Sequence, residues 1–209
     1  MNYKTIKTDG IVEQDIKKSR FICHLKRVET EDDARDYIAS IKKQHHKANH
    51  SCSAMIIGKK SEIKRSSDDG EPSGTAGVPM LTVLEKQELT NVVAVVTRYF
   101  GGIKLGAGGL IRAYAGSVAG TIAELGRVEV KRLEGLAITL TYPQYQTYAN
   151  FLASEGLEEM ETDFQADITT RVYLDKEAIP DFVNRLTDYY QGKVVATPSG
   201  SQIIEVNLH

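Results

Sequence analysis

Between Thr30 and His46 the apolar residues Ala34, Tyr37, Ile38 and Ile41 recur every three or four positions, which predicts an amphipathic helix. Thr30 and Asp33 open it with the spacing of a capping box, in which each side chain satisfies the other's backbone N–H. Ahead of it, residues 3–13 and 21–28 read as two extended stretches joined by polar residues. Behind it, residues 51–57 predict a strand, 58–60 a turn and 62–66 a second strand. Pro79 can open a short helix through Leu84, because proline suits a first turn. Residues 92–96 are an unbroken run of Val and Ala, the pattern of a strand covered on both faces. Leu110, Ile111, Tyr114, Val118, Ile122 and Leu125 mark a long helix that Gly126 is placed to end.

The last third of the chain has its own rhythm. Residues 136–142 alternate as a strand, and Tyr145, Tyr148, Ala149 and Leu152 mark a helix closing near Gly156. Residues 157–164 and 166–174 read as a hairpin. Ile179, Phe182, Val183, Leu186 and Tyr190 mark another helix, and residues 193–196 and 203–208 are extended. The order is β-α-β-β-α-β, a ferredoxin-like pattern. The expectation is therefore an α+β chain of two domains, residues 1–134 and 135–209, without internal repeats.

Charge sharpens that division. The 209 residues carry a net charge of only −2, yet residues 1–134 hold 22 Lys+Arg against 17 Asp+Glu, and the remainder hold 4 against 11. A basic first part suits a phosphate backbone, which an acidic second part would repel. With 41% hydrophobic and 26% charged residues, composition excludes disordered and collagen-like classes. No apolar run is long enough for a membrane span, and no signal peptide is evident. Two cysteines, Cys23 and Cys52, cannot make a disulfide framework, so a cytoplasmic location is expected, with no membrane partner.

Three segments could carry chemistry. Residues 97–109, TRYFGGIKLGAGG, lie between the valine-rich strand and the long helix. Gly101, Gly102, Gly106, Gly108 and Gly109 bring backbone close to something, and N–H groups at the helix start favour an anion. Arg98, Lys104 and Arg112 add positive charge, while Tyr99 and Phe100 add aromatic faces, a mixture that suits single-stranded nucleic acid. The P-loop spacing fails because Ala107 stands where lysine is required, and the glycines fit no Rossmann register. A tight structural turn would explain the same glycines.

The second segment, residues 65–77, is RSSDDGEPSGTAG. Arg65, Asp68, Asp69, Glu71, Ser73 and Thr75 make it a candidate polar binding loop, together with the nearby His50. Asp68, Asp69 and Glu71 could hold a divalent cation through oxygen, but the EF-hand alternation and the GxSxG elbow are both absent. The third is His45, His46, His50 and Cys52, which could ligate zinc or pair a thiol with an imidazole oriented by Asn49. Zinc-ligand spacing is missing, and a buried cysteine beside surface histidines explains the segment more simply. No cofactor and no metal site is expected.

KKSRFI at residues 17–22, the H-x-A-x-H-x-C run at 46–52, SDDGEPSGTAGVP at 67–79 and VVTRYFGGIKLGAGGLIRAYAGS at 95–117 together resemble the IMPACT family, in its bacterial YigZ/YvyE-type branch. The resemblance implies a first domain of the ribosomal protein S5 domain 2-like fold. It implies a ferredoxin-like second domain similar to the last domain of a G-type elongation factor. Eukaryotic members restrain an amino-acid-starvation kinase by binding its ribosome-associated coactivator, and carry an extra N-terminal domain. Here Met1 leads almost directly into the shared domain, so that role is not expected to carry over. The expectation is a non-enzymatic RNA- or ribosome-associated factor linked to translation, with a protein partner for the acidic domain. The competing expectation is a metal-dependent enzyme or binding protein for a phosphorylated or anionic small molecule.

Overall fold

The structure is a computed structural model that describes residues 2–208. It forms two compact units, one holding residues up to Val130 together with those from Glu205 onward, the other Lys131–Ile204. The boundary lies four residues ahead of the one expected from sequence, because the strand that crosses it is long.

In the first unit, β2 (Gly10–Ile16), β3 (Ser19–Arg27), β4 (His50–Ile57), β5 (Ile63–Ser67) and β6 (Val92–Tyr99) form one antiparallel sheet in the order β2-β3-β6-β4-β5. The central strand β6 explains the valine run. Val92, Ala94 and Val96 face a core with α2 (Gly77–Lys86) and α3 (Ala107–Leu125), through Met80, Leu84, Tyr114, Val118 and Ile122. Val93 and Val95 face the other way, against Ala34 and Ile41 of α1 (Glu31–Gln44). Helices on both faces leave β6 no solvated side, so alternation disappears.

Thr30 caps α1, accepting the Asp33 N–H at 3.1 Å, but the expected box is half made: the Thr30 hydroxyl donates to the Asp33 carboxylate at 2.6 Å. The first extended stretch is also corrected. It is two strands, β1 (Tyr3–Ile6) and β2, separated by Lys7, Thr8 and Asp9, and β1 pairs with Arg127–Val130 in a different sheet.

A two-residue turn joins β2 to β3. Ile16 pairs with Ser19, and the residues between, Lys17 and Lys18, have φ of 45° and 64°. Two positive φ values in a two-residue hairpin are the mark of a type I′ turn, which ordinarily uses Asn and Gly.

The second unit takes up β7 (Arg127–Leu140) from Lys131, then α4 (Tyr142–Glu155), β8 (Met160–Phe164), β9 (Ile168–Leu174), α5 (Ile179–Tyr189) and β10 (Ala196–Leu208) as far as Ile204. The sheet runs β10-β7-β9-β8, and its core joins Leu136, Ile138 and Leu140 to Tyr148, Phe151, Phe182 and Leu186. Tyr142 is the first residue of α4 and not the last of a strand, since Thr141 and Gln144 make a complete capping box there. Strand β8 starts at Met160, later than expected, and β10 is continuous where two pieces were expected. Among the described residues no helix is long and apolar enough to cross a membrane.

Candidate functional site

The N-terminal end of β3, the N-terminal end of β4 and the C-terminal end of β6 share one end of the first sheet. Phe21 and His50 both stand opposite Arg98, and Arg20 stands opposite Tyr99. This end gathers the polar loop and the glycine-rich loop, two segments that sequence could not place together.

The polar loop is built around carboxylates that face inward. Asp68 accepts the N–H groups of Gly74, Ala76 and Gly77 at 2.8, 3.1 and 2.8 Å, and so caps α2 from eight and nine residues upstream. Burial raises its pKa, but the three donors together outweigh that and hold it below the usual aspartate value. Asp69 accepts the Ser51 N–H at 2.7 Å and pairs with Lys42 at 2.5 Å. Its carbonyl takes His50 Nδ1 at 2.9 Å, which leaves Nε2 3.8 Å from the Glu71 carboxylate.

Glu71 is the centre of the cluster. It is 7% exposed, and its Oε1 accepts from Arg98 at 2.8 Å and from the Tyr114 hydroxyl at 2.7 Å. Burial, then the nearby Cys52 and Glu71, raise the Tyr114 phenol, so it stays a proton donor. Cys52 is fully buried, its thiol donates to the Asp68 carbonyl at 3.0 Å, and burial pushes it up to about 12. A thiol so protonated is no nucleophile at neutral pH, which removes the thiol–imidazole pair. Among the described residues no group of three or more His, Cys, Asp or Glu side chains is arranged to hold a metal ion.

Arg98 differs from its sequence reading. Expected to meet an external phosphate, it is 5% exposed and turned inward to Glu71, with Ser19 at 3.4 Å. Arg65 points elsewhere, to Glu31 of α1 at 3.3 Å. Thr75 is buried, its hydroxyl on the Pro72 carbonyl at 2.6 Å, whereas Ser73 is exposed at the loop's turn.

The glycine-rich segment splits in two. Gly108 and Gly109 are inside the first turn of α3, while Gly101, Gly102 and Gly106 lie in the loop before it. Gly106 is the N-cap with φ 71°, and no side chain caps the helix. The exposed first turn therefore offers N–H groups and the positive end of the helix dipole to solvent. At Gly101 a Cβ would stand 1.8 Å from the Lys18 carbonyl oxygen, so only glycine lets the loop close on the β2–β3 turn. The Gly101 N–H reaches the Ser19 hydroxyl at 3.3 Å, and the Phe100 N–H reaches Asn49 Oδ1 at 2.8 Å.

An outer layer covers this inner one. Phe100, Ile103, Lys104, Ile111 and Arg112 are exposed, and so are Lys17 and Lys18. Among the described residues, none of these four cations forms an ion pair. Sequence reading found Lys104 and Arg112 but did not name Lys17, Lys18, Ser19 or Tyr114 as site residues. All four lie within the KKSRFI and VVTRYFGGIKLGAGGLIRAYAGS motifs, which marked the family without assigning these residues a role.

Residues 17–122 match the Impact N-terminal domain, and residues 138–193 match a domain of unknown function, DUF1949. The chain is 45% identical over 192 residues to the IMPACT family member YvyE of Bacillus subtilis, covering 92% of this chain and 88% of the relative. It is 34% identical over 185 residues to YigZ of Escherichia coli, covering 88% and 91%. A solved crystal structure of a hypothetical protein shares the fold at TM-score 0.60 and 32% identity, over 93% of this chain and 96% of that one. Overlap with the two-domain translational regulator Yih1 is looser, at TM-score 0.37 and 25% identity over 58% of this chain and 45% of that one.

Proposed function

The chain belongs to the IMPACT family, and from that premise we propose that it is a non-enzymatic cytoplasmic factor that binds RNA and associates with the ribosome in translation or its regulation. One observation carries the reading: the turn of Lys17 and Lys18 meets, through Lys18, the glycine-rich loop that bears Phe100 and Lys104 and leads into an uncapped helix N-terminus. Exposed cations interleaved with an exposed aromatic ring suit a polymer of phosphates and bases. The labels S5 domain 2-like and ferredoxin-like belong to this proposal. The spatial order β10-β7-β9-β8 supports the second of them. The acidic second unit fits a basic protein partner better than a nucleic acid.

The reading as an anion-binding protein or enzyme for a small phosphorylated molecule draws on the same helix terminus. Its metal-dependent form would require Asp68, Asp69 and Glu71 to release the backbone and side-chain donors they already hold.

The test is cosedimentation of the protein with purified ribosomes at low and physiological salt. Binding that weakens steeply with salt and is lost in Lys104→Ala/Arg112→Ala supports the proposal, because phosphate contacts release counterions. Protein that stays in the supernatant at low salt overturns it.

A further inference from the structure

Tyr99 and Phe100 are neighbours in sequence with opposite surroundings. The Tyr99 ring is occupied: its hydroxyl pairs with His45 Nδ1 at 2.9 Å, the His45 ring meets it edge-on, and Arg20 lies 5.8 Å from its centroid. Phe100 is 44% exposed. Arg98 lies over its ring 5.4 Å from the centroid, and the same guanidinium is 5.5 Å from the fully buried Phe21. The ring thus rests on a cation that is itself fixed by Glu71. Its backbone is fixed too, by Asn49 at its own N–H and by the contact of Gly101 with Lys18.

Two exposed lysines belong to the turn that meets this loop. Lys18 touches the residue that follows Phe100, and Lys17 shares its turn. Lysine at both left-handed positions of a type I′ turn is strained relative to Asn-Gly. Retained strain of that kind gathers at functional positions. Lys104 is exposed four residues beyond the ring, on the same glycine-rich loop.

We infer that Phe100 is a stacking platform for one unpaired base, with the Lys17–Lys18 turn and Lys104 holding the adjoining phosphates. The inference rests on the nucleic-acid reading above and narrows it to single strands. Bases inside a duplex are covered on both faces by their neighbours, so away from duplex ends an exposed ring stacks on a base that has left the helix. Arg98 serves as the platform's support and not as a phosphate ligand.

Fluorescence anisotropy tests this with three labelled probes of equal length: a single-stranded oligoribonucleotide, its blunt duplex, and an abasic strand with the same phosphates. The wild-type protein should prefer the single strand. Phe100→Ala should lose about tenfold on that strand and nothing on the abasic one, and Phe100→Tyr should restore binding. Lys17→Asn/Lys18→Gly keeps a favourable I′ turn while removing both charges. It should weaken all three probes and flatten the slope of log affinity against log salt by roughly one to one and a half. Equal affinity for all three probes, unaffected by Phe100→Ala, overturns the platform and leaves the RNA reading standing. No binding to any probe at low salt overturns both.

Discussion

Arg98 of β6 and Tyr114 of α3 donate to the same oxygen of Glu71, at 2.8 and 2.7 Å. Three segments remote in sequence are thereby fastened at one buried carboxylate. Removing one partner of a buried ion pair costs about 3–5 kcal/mol, because the other charge remains without compensation. Glu71→Gln should therefore lower stability by about 3 kcal/mol in urea unfolding. Arg98→Met combined with Glu71→Leu should recover most of that loss. A double variant as unstable as the sum of the singles would show that the two residues act independently.

The Lys17–Lys18 turn yields a prediction of opposite sign. Left-handed φ costs a non-glycine residue roughly 1–2 kcal/mol. Lys17→Asn/Lys18→Gly should raise the thermal midpoint by several degrees while weakening RNA binding. Calorimetry and anisotropy on the same preparation check both halves. A lower midpoint would mean that the lysine side chains support the fold.

Gly101 tolerates no side chain, since a Cβ would meet the Lys18 carbonyl at 1.8 Å. Gly101→Ala must push the loop off the hairpin turn, at a cost of about 1–3 kcal/mol. Faster hydrogen exchange confined to residues 17–20 and 99–103 is the expected signature. Gly102→Ala, where a Cβ meets nothing within 4 Å but φ is 87°, should show only the milder conformational cost.

His24 and His45 make stability depend on pH. Their rings are 5.2 Å apart, and His24 Nδ1 and His45 Nε2 are buried without a partner. Burial first, then His45, lowers the pKa of His24; burial first, then Arg20, lowers that of His45. Besides Arg20, Tyr99 faces the pair through its hydroxyl. Both imidazoles stay neutral in the fold at pH values where the unfolded chain, near its ordinary 6.5, already binds protons. The unfolded state then holds more protons, so stability falls as pH drops below about 6.5 and levels once the folded histidines are protonated. Thermal midpoints at pH 7.5 and 5.5 should show the drop, and His24→Leu should shrink it.

Cys52, at about 12, and Cys23, pushed up to about 12 by its own burial, should ignore a thiol reagent in the native state. Labelling should appear only with denaturant and follow unfolding. Rapid native labelling of either thiol would contradict this burial.

How much of this was visible in the sequence depends on where the constraint lies. The β6 run was readable because burial on both faces admits no polar residue from Val92 to Val96. The glycine-rich loop was readable as a close approach, though not what it approaches. Arg98 was misread because its partner, Glu71, lies 27 residues away, and nothing in either segment announces the other. Residues 3–13 read as one stretch although Lys7, Thr8 and Asp9 separate two strands there, because nothing local shows that the chain leaves one sheet for another. Lys17 and Lys18 gave no sign of φ above zero, since their conformation is imposed by the pairing of Ile16 with Ser19.

Placing Phe100 directly after the central strand has a thermodynamic consequence. Amides of a strand covered by helices on both faces open only with the whole domain and exchange last. Phe100 is thus joined directly to the end of the strand expected to open last in the unit. Little motion remains there to be frozen when a ligand arrives, so association should carry a small ordering penalty on the protein side. The conformational entropy lost on binding would then belong mainly to the flexible polymer and not to the surface that receives it.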